Sequence, residues 1–154
     1  MAKIGRKILL PALAAVVLLY LSVAGSAQAS NLNIRIDIKP FSHPNAVNLK
    51  SAGVVPVALF GTASFDVTEI NLSTTCFVIQ TAVGCLSGSY AQDNSINPTD
   101  LNSNGYDDVV LHFDTQSTGT PPSNKKQQRT LCVRGSLNNG TTFEGCQGIL
   151  VVKS

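Results

Sequence analysis

The run Asp100-Leu101-Asn102-Ser103-Asn104-Gly105-Tyr106-Asp107-Asp108 places oxygen-bearing side chains at loop positions one, three, five and nine, with glycine at position six. That spacing matches the first half of a calcium loop written D-x-[DN]-x-[DN]-G, in which alternate residues of a tight turn point inward and the glycine permits the bend. Asp100, Asn102, Asn104 and Asp108 are the candidate side-chain ligands, and Tyr106 would add its backbone carbonyl. Positions three and five are amides, so little negative charge faces the ion. A modest affinity suited to extracellular calcium is expected, with the ion pinning the loop and taking no part in catalysis. Position twelve is Leu111, so the loop does not continue as an EF-hand. The competing reading is an Asx-rich turn without metal, because Asn, Asp, Ser and Gly are what any exposed turn favours.

Cysteines are the second chemically distinctive set. Cys76, Cys85, Cys132 and Cys146 form an even group, which in an oxidising compartment reads as two disulfides with three possible connectivities. The local pairs Cys76 with Cys85 and Cys132 with Cys146 are favoured, because each cysteine falls at a predicted strand edge with a turn before its neighbour. Loops this short contribute about 2–3 kcal/mol each on the chain-entropy model. A four-cysteine zinc site is the alternative, but it ordinarily contains a closer cysteine pair than these spacings offer. The histidines are His43, in a loop before Pro44, and His112, in a predicted strand. Candidate nucleophiles and carboxylates are scattered singly along the chain, so a joint metal or catalytic site of the two histidines would depend on the fold, and no enzyme is expected.

The compartment follows from the first residues. Lys3, Arg6 and Lys7 precede an apolar stretch over residues 8–23, and Ala27-Gln28-Ala29 supplies small residues at a cleavage position. Residues 1–29 are thus predicted to be a signal peptide and residues 30–154 one exported domain, either secreted or periplasmic. The alternative is a retained anchor, against which stands the small, uncharged flank at residues 25–30. Without Lys3, Arg6 and Lys7, the total of 11 Lys and Arg falls to eight against nine Asp and Glu, a net charge of −1. The basic surplus belongs to the leader, so nucleic-acid binding has no electrostatic support.

The elements that must hold these residues read as β. Leu32, Ile34, Ile36 and Ile38 alternate with polar residues, the period of a half-buried strand, and Lys39-Pro40 ends it. Residues 41–51 read as a loop. Residues 53–60 read as a buried strand in which Pro56, lacking an N–H, predicts an edge or a bulge. A short helical turn is expected over 65–71, a strand over 75–80 and its hairpin partner over 82–86. After a polar stretch, residues 108–113 alternate with Val109, Leu111 and Phe113 on one face and are expected to be central. Residues 115–128, with Pro121-Pro122, read as the most mobile loop. Strands over 129–134 and 147–152 follow, joined through an Asn138-Asn139-Gly140 turn and a short strand over 141–144. About seven strands separated by turn signals predict an all-β sandwich, Ig-like or jelly-roll-like.

Several segments together carry a resemblance. Ile36-Asp37-Ile38-Lys39-Pro40, Ser42-His43-Pro44-Asn45, Gly53-Val54-Val55-Pro56-Val57-Ala58-Leu59-Phe60-Gly61-Thr62, the 100–113 region and Thr142-Phe143-Glu144-Gly145-Cys146 resemble, in order, an uncharacterised family of secreted bacterial and archaeal β-rich domains with the pattern IDIKPGS-PN, GVIPVAILGT, DVNGDG-x-x-DLVLHF. The resemblance spans nearly the whole mature chain and implies fold and export, with little about activity. Phe41 stands where that pattern has Gly, and Asn104 where it has Asp. The function expected is a calcium-stabilised, disulfide-bonded surface, matrix or adhesion protein that self-associates or binds a surface protein or polysaccharide. The alternative is a carbohydrate-binding module, for which Tyr106 at a loop tip is a better contact than Tyr90 in a chain without Trp.

Overall fold

A computed structural model describes residues 31–120 and 125–152. The predicted signal peptide lies outside the described residues, as do the prolines at the centre of the 115–128 loop. No helix among the described residues is long and apolar enough to cross a membrane.

Among the described residues nine strands run in chain order: β1 (Asn31–Asn33), β2 (Ile36–Ile38), β3 (Ala46–Val47), β4 (Val54–Leu59), β5 (Cys76–Ile79), β6 (Ser89–Tyr90), β7 (Val109–Asp114), β8 (Gln127–Ser136) and β9 (Thr142–Val151). One sheet has the order β1-β9-β8-β5-β6, with β3 also on β9, and the other has the order β2-β4-β7. Their facing sides bury Ile36, Ile38, Val55, Val57, Leu59, Phe77, Leu111, Phe113, Leu131, Val133 and Phe143 in one apolar core. The expected β-sandwich is therefore the fold.

The predicted single strand over 32–38 is two strands on different sheets. β1 runs parallel to β9, Ile34 donates its N–H to the Glu144 carbonyl (2.9 Å), and β2 then joins β4 in the other sheet. The crossing needs Gly145, where a Cβ would lie 2.7 Å from both the Ile34 carbonyl oxygen and Ile36 Cγ2. Alternation continues through the crossing because both sheets turn apolar side chains toward the same core.

Pro56 does not mark an edge, since β4 is the middle strand of its sheet. Ile38 pairs with Val57 as the last residue of β2, and the Pro56 carbonyl accepts the N–H of Lys39 (2.8 Å). The nitrogen of Pro56 faces that same side, where the Lys39 carbonyl has turned away to accept the N–H of Ser42 (3.0 Å), so no donor is missed. β7, expected to be central, has β4 as its one ladder partner among the described residues, and its outer edge is covered by a bridge from Ala91 to Phe113 and by the Gln92 N–H donated to the His112 carbonyl (2.9 Å). Its alternation holds, with Val109, Leu111 and Phe113 buried. The hairpin partner of β5 is β6, and residues 82–86 form turns that fold over the outer face. The short strand expected over 141–144 and the strand expected over 147–152 are one, β9, paired with β8 from Gln127↔Val151 to Ser136↔Thr142. The expected helical turn appears as a 3-10 turn over Val67–Glu69, followed by another over Leu72–Thr74.

Candidate functional site

Between β6 and β7 the 100–108 loop closes on an antiparallel bridge: Thr99 N–H to the Asp108 carbonyl (2.9 Å) and Asp108 N–H to the Thr99 carbonyl (2.8 Å). A loop without a ladder must find other partners for its backbone groups, and here carboxylates accept the N–H groups. Asp100 Oδ1 accepts from Asn104 (3.1 Å) and Oδ2 from Gly105 (2.9 Å). The Gly105 N–H holds the Asp100 carboxyl below its ordinary range against an opposing desolvation, with the N–H groups of Asn104, Ser103 and Asn102 adding to the lowering. Asn104 Oδ1 accepts from Tyr106 (2.9 Å). Ser103 and Gly105 have φ of +57° and +86°, so the bend at position six is one that glycine adopts without penalty.

Asp108 differs from the other candidate ligands. Its side chain is fully buried, with Oδ1 accepting from Gly61 and Oδ2 from Leu101, both at 2.9 Å. Gly61 is bound to that role by space, because a Cβ there would sit 2.0 Å from the Asp107 carbonyl oxygen. Asp100, Asn104 and Tyr106 are thus tied together on the exposed part of the loop, Asn102 is exposed beside them, and Asp108 anchors its base. All donors are hard oxygens, and a carboxylate accepting one N–H per oxygen keeps lone pairs for a cation. Oxygens of this kind could serve a hard cation such as calcium, and Asp100, Asn102, Asn104 and the Tyr106 carbonyl are the groups of the loop that could supply them.

Both favoured disulfides are present, Cys76–Cys85 and Cys132–Cys146, and none of the described cysteines is free. Cys132 and Cys146 lie directly opposite on β8 and β9. They share the outer face of the large sheet with Cys76, since Phe77, Leu131 and Val133 take the core face. Glu144 has its carboxylate near Cys132 and Cys146. Sulfurs in a disulfide offer no thiolate, and Glu144 is paired with Arg134, so this trio is structural.

The structure does not combine the two histidines. His43 is exposed beside a cis bond to Pro44, whereas His112 is held by Asp93, through Nδ1 to Oδ1 (2.9 Å) and its own N–H to Oδ2 (2.7 Å). Sequence reading missed Asp93, which lies in a polar stretch with no local signal of its partner. It also missed a cleft of about 370 Å³ beside the loop, lined by Thr62, Ala63, Phe65, Asp66, Gly105, Tyr106 and Asp107. Tyr106 stands 44% exposed at its rim. No family model, no curated protein and no solved structure matches the chain. Fold and chemistry together define a disulfide-bonded β-sandwich with an oxygen-rich loop at one end.

Proposed function

We propose that the chain is an exported surface or matrix module, stiffened by calcium at the 100–108 loop, that acts by contact and not by catalysis. The observation that carries this reading is the pair of closed disulfides on the outer face of the large sheet. Structural disulfides form and persist where a protein is exported, and they fasten a domain of this size that works outside the cell. The resemblance to secreted β-rich domains points the same way. Calcium enters through the oxygen donors of Asp100, Asn102, Asn104 and Tyr106, with Asp108 holding the base of the loop. A carbohydrate-binding reading draws on one observation, the half-exposed Tyr106 ring beside the Asp66 and Asp107 carboxylates.

The test is thermal unfolding of the mature, oxidised domain in calcium and in chelator, repeated for Asp100→Ala. At about a hundred times its dissociation constant, calcium adds about 2.7 kcal/mol, which raises the midpoint by several degrees. The rise disappears in Asp100→Ala. An equal midpoint with and without calcium in the parent chain removes the metal from the proposal, and free thiols on the protein recovered from its own host remove the exported compartment.

A further inference from the structure

The charges of the sandwich are sorted by end. At one end β4 finishes where β7 starts, Leu59 pairing with Val109, while Ile70 bridges Leu137 and Asn138 donates its N–H to the Glu69 carbonyl. The exposed carboxylates of Asp66, Glu69, Asp100 and Asp107 lie toward this end, and Arg35, also here, lies 4.7 Å over the Phe60 ring. At the other end Val54 pairs with Asp114, and Val151 pairs with both Gln127 and Val47. Lys39, whose ammonium donates to the Ala46 carbonyl (2.8 Å), Lys50, Lys126 and Arg129 lie toward that end together with one carboxylate, Asp114, which like Asp66 and Asp100 accepts N–H groups and keeps its charge. A ten-residue strand such as β9 spans about 30 Å. That exceeds the Debye length of about 8 Å at physiological salt, so neither end neutralises the other.

Each end also presents an exposed aromatic ring, Phe41 at one and Tyr106 at the other. The basic end displays Phe41, 90% exposed, with Val54 also exposed nearby. Phe41 has φ +68°, a left-handed conformation that a bulky side chain rarely takes, in a turn closed by the Ser42 N–H on the Lys39 carbonyl. Glycine would hold this turn without penalty, so the aromatic is kept there against its own backbone preference, and such outliers point to function. The acidic end carries the largely polar cleft, whose lining includes Asp66, Asp107 and the half-exposed Tyr106, with the buried Phe65 beneath.

We propose that two copies of the chain bind head to tail, with Phe41 of one copy seated in the cleft of the next and Lys39 and Lys50 facing Asp66 and Asp107. The two surfaces differ, so the contact is heterologous and repeats into a linear array. This rests on the surface or matrix reading and names its partner as a second copy of the same chain.

Sedimentation of the mature, oxidised domain over a range of concentrations and salt tests it. The mass rises with concentration and falls as salt is raised. Phe41→Gly weakens association roughly tenfold or more, the effect of losing an aromatic hot spot, while its melting midpoint stays or rises because the turn relaxes. Asp107→Lys weakens association comparably from the opposite end. Mixed, the two variants form dimers and nothing larger, since the first keeps a working cleft and the second a working Phe41. A parent chain that stays monomeric at millimolar concentration and low salt overturns the proposal, as do variants that assemble like the parent. A monomer whose cleft binds a sugar also overturns it and gives the cleft to carbohydrate. Calcium-dependent melting and the thiol count are read on the monomer, so failure to assemble leaves them standing.

Discussion

Two loops of this domain solve the same problem with opposite charges. Residues 80–88 cover the outer face of the large sheet without a ladder, and their carbonyls are gathered by Arg134: Nη1 donates to Ala82 (2.7 Å) and Gly84 (3.3 Å), and Nη2 donates to Gln80 (3.0 Å). Residues 100–108 turn their N–H groups inward, and Asp100 and Asp108 accept them. A guanidinium is a fork of donors and a carboxylate a pair of acceptors, so each charge suits one polarity of backbone. The first loop is also fixed covalently through Cys85 to Cys76 and shows exposed Val83 and Leu86, whereas the second is mostly polar and held by hydrogen bonds, those of two carboxylates, the Asn104 amide and the Thr99–Asp108 bridge. The first should therefore answer to reduction and the second to acid and calcium.

Asp108 is where the comparison can be broken most severely. Asp108→Ala orphans the N–H groups of Gly61 and Leu101 inside a buried site and should destabilise the domain by about 3–4 kcal/mol, read from the urea midpoint. A loss near zero would mean that water replaces the carboxylate and that the loop base is not anchored as described. Replacing Cys76 and Cys85 together by serine should lower stability by about 2–3 kcal/mol. Limited proteolysis should then cut first within residues 81–86. First cuts within residues 100–108 would show that the disulfide does not control the loop it closes. Arg134→Lys keeps the charge and loses the fork, with an expected loss of about 1–2 kcal/mol and earlier cutting at the same place. An unchanged pattern would assign the whole restraint to the disulfide.

How much of this was legible in the sequence depends on how locally each feature is specified. The burial of Val109, Leu111 and Phe113 follows from a period of two, and the β8–β9 turn from Asn138-Asn139-Gly140, because both are decided within a few residues. Both disulfides were readable for the same reason, each pair being joined by a short turn-forming segment. Pro56 misled because the missing donor matters only where a neighbouring strand asks for it, and β2 has ended by then. The split of residues 32–38 between sheets leaves no trace in alternation, and the space it needs is supplied by Gly145, more than a hundred positions away. The calcium-type spacing located the loop, yet it gave Asp108 the same standing as Asp100. Only the fold separates a buried anchor from exposed candidate ligands.

The smallest expected effect is also the most selective. Hydrogen bonds from Gly105 and Asn104 lower the Asp100 carboxyl below its ordinary value of 3.8, so the folded loop favours the ionised form. Its stabilising contribution is then fully present above the unfolded pKa and is lost as pH falls through the lower folded value. The Gly105 amide resonance should move as acid is added over about pH 5 to pH 2, whereas residues 80–88 are tied through the Cys76–Cys85 disulfide, which carries no titratable proton. Asp66 is lowered too, by the Thr68 hydroxyl first and the Thr68 N–H second, so a global melting curve would mix the two carboxylates. Observing Gly105 itself removes that ambiguity. In Asp100→Asn the acid shift of Gly105 should vanish while residues 80–88 stay protected. If both loops loosened together on acidification, they would form a single cooperative unit, and the division of labour between cation and anion would have no mechanical meaning.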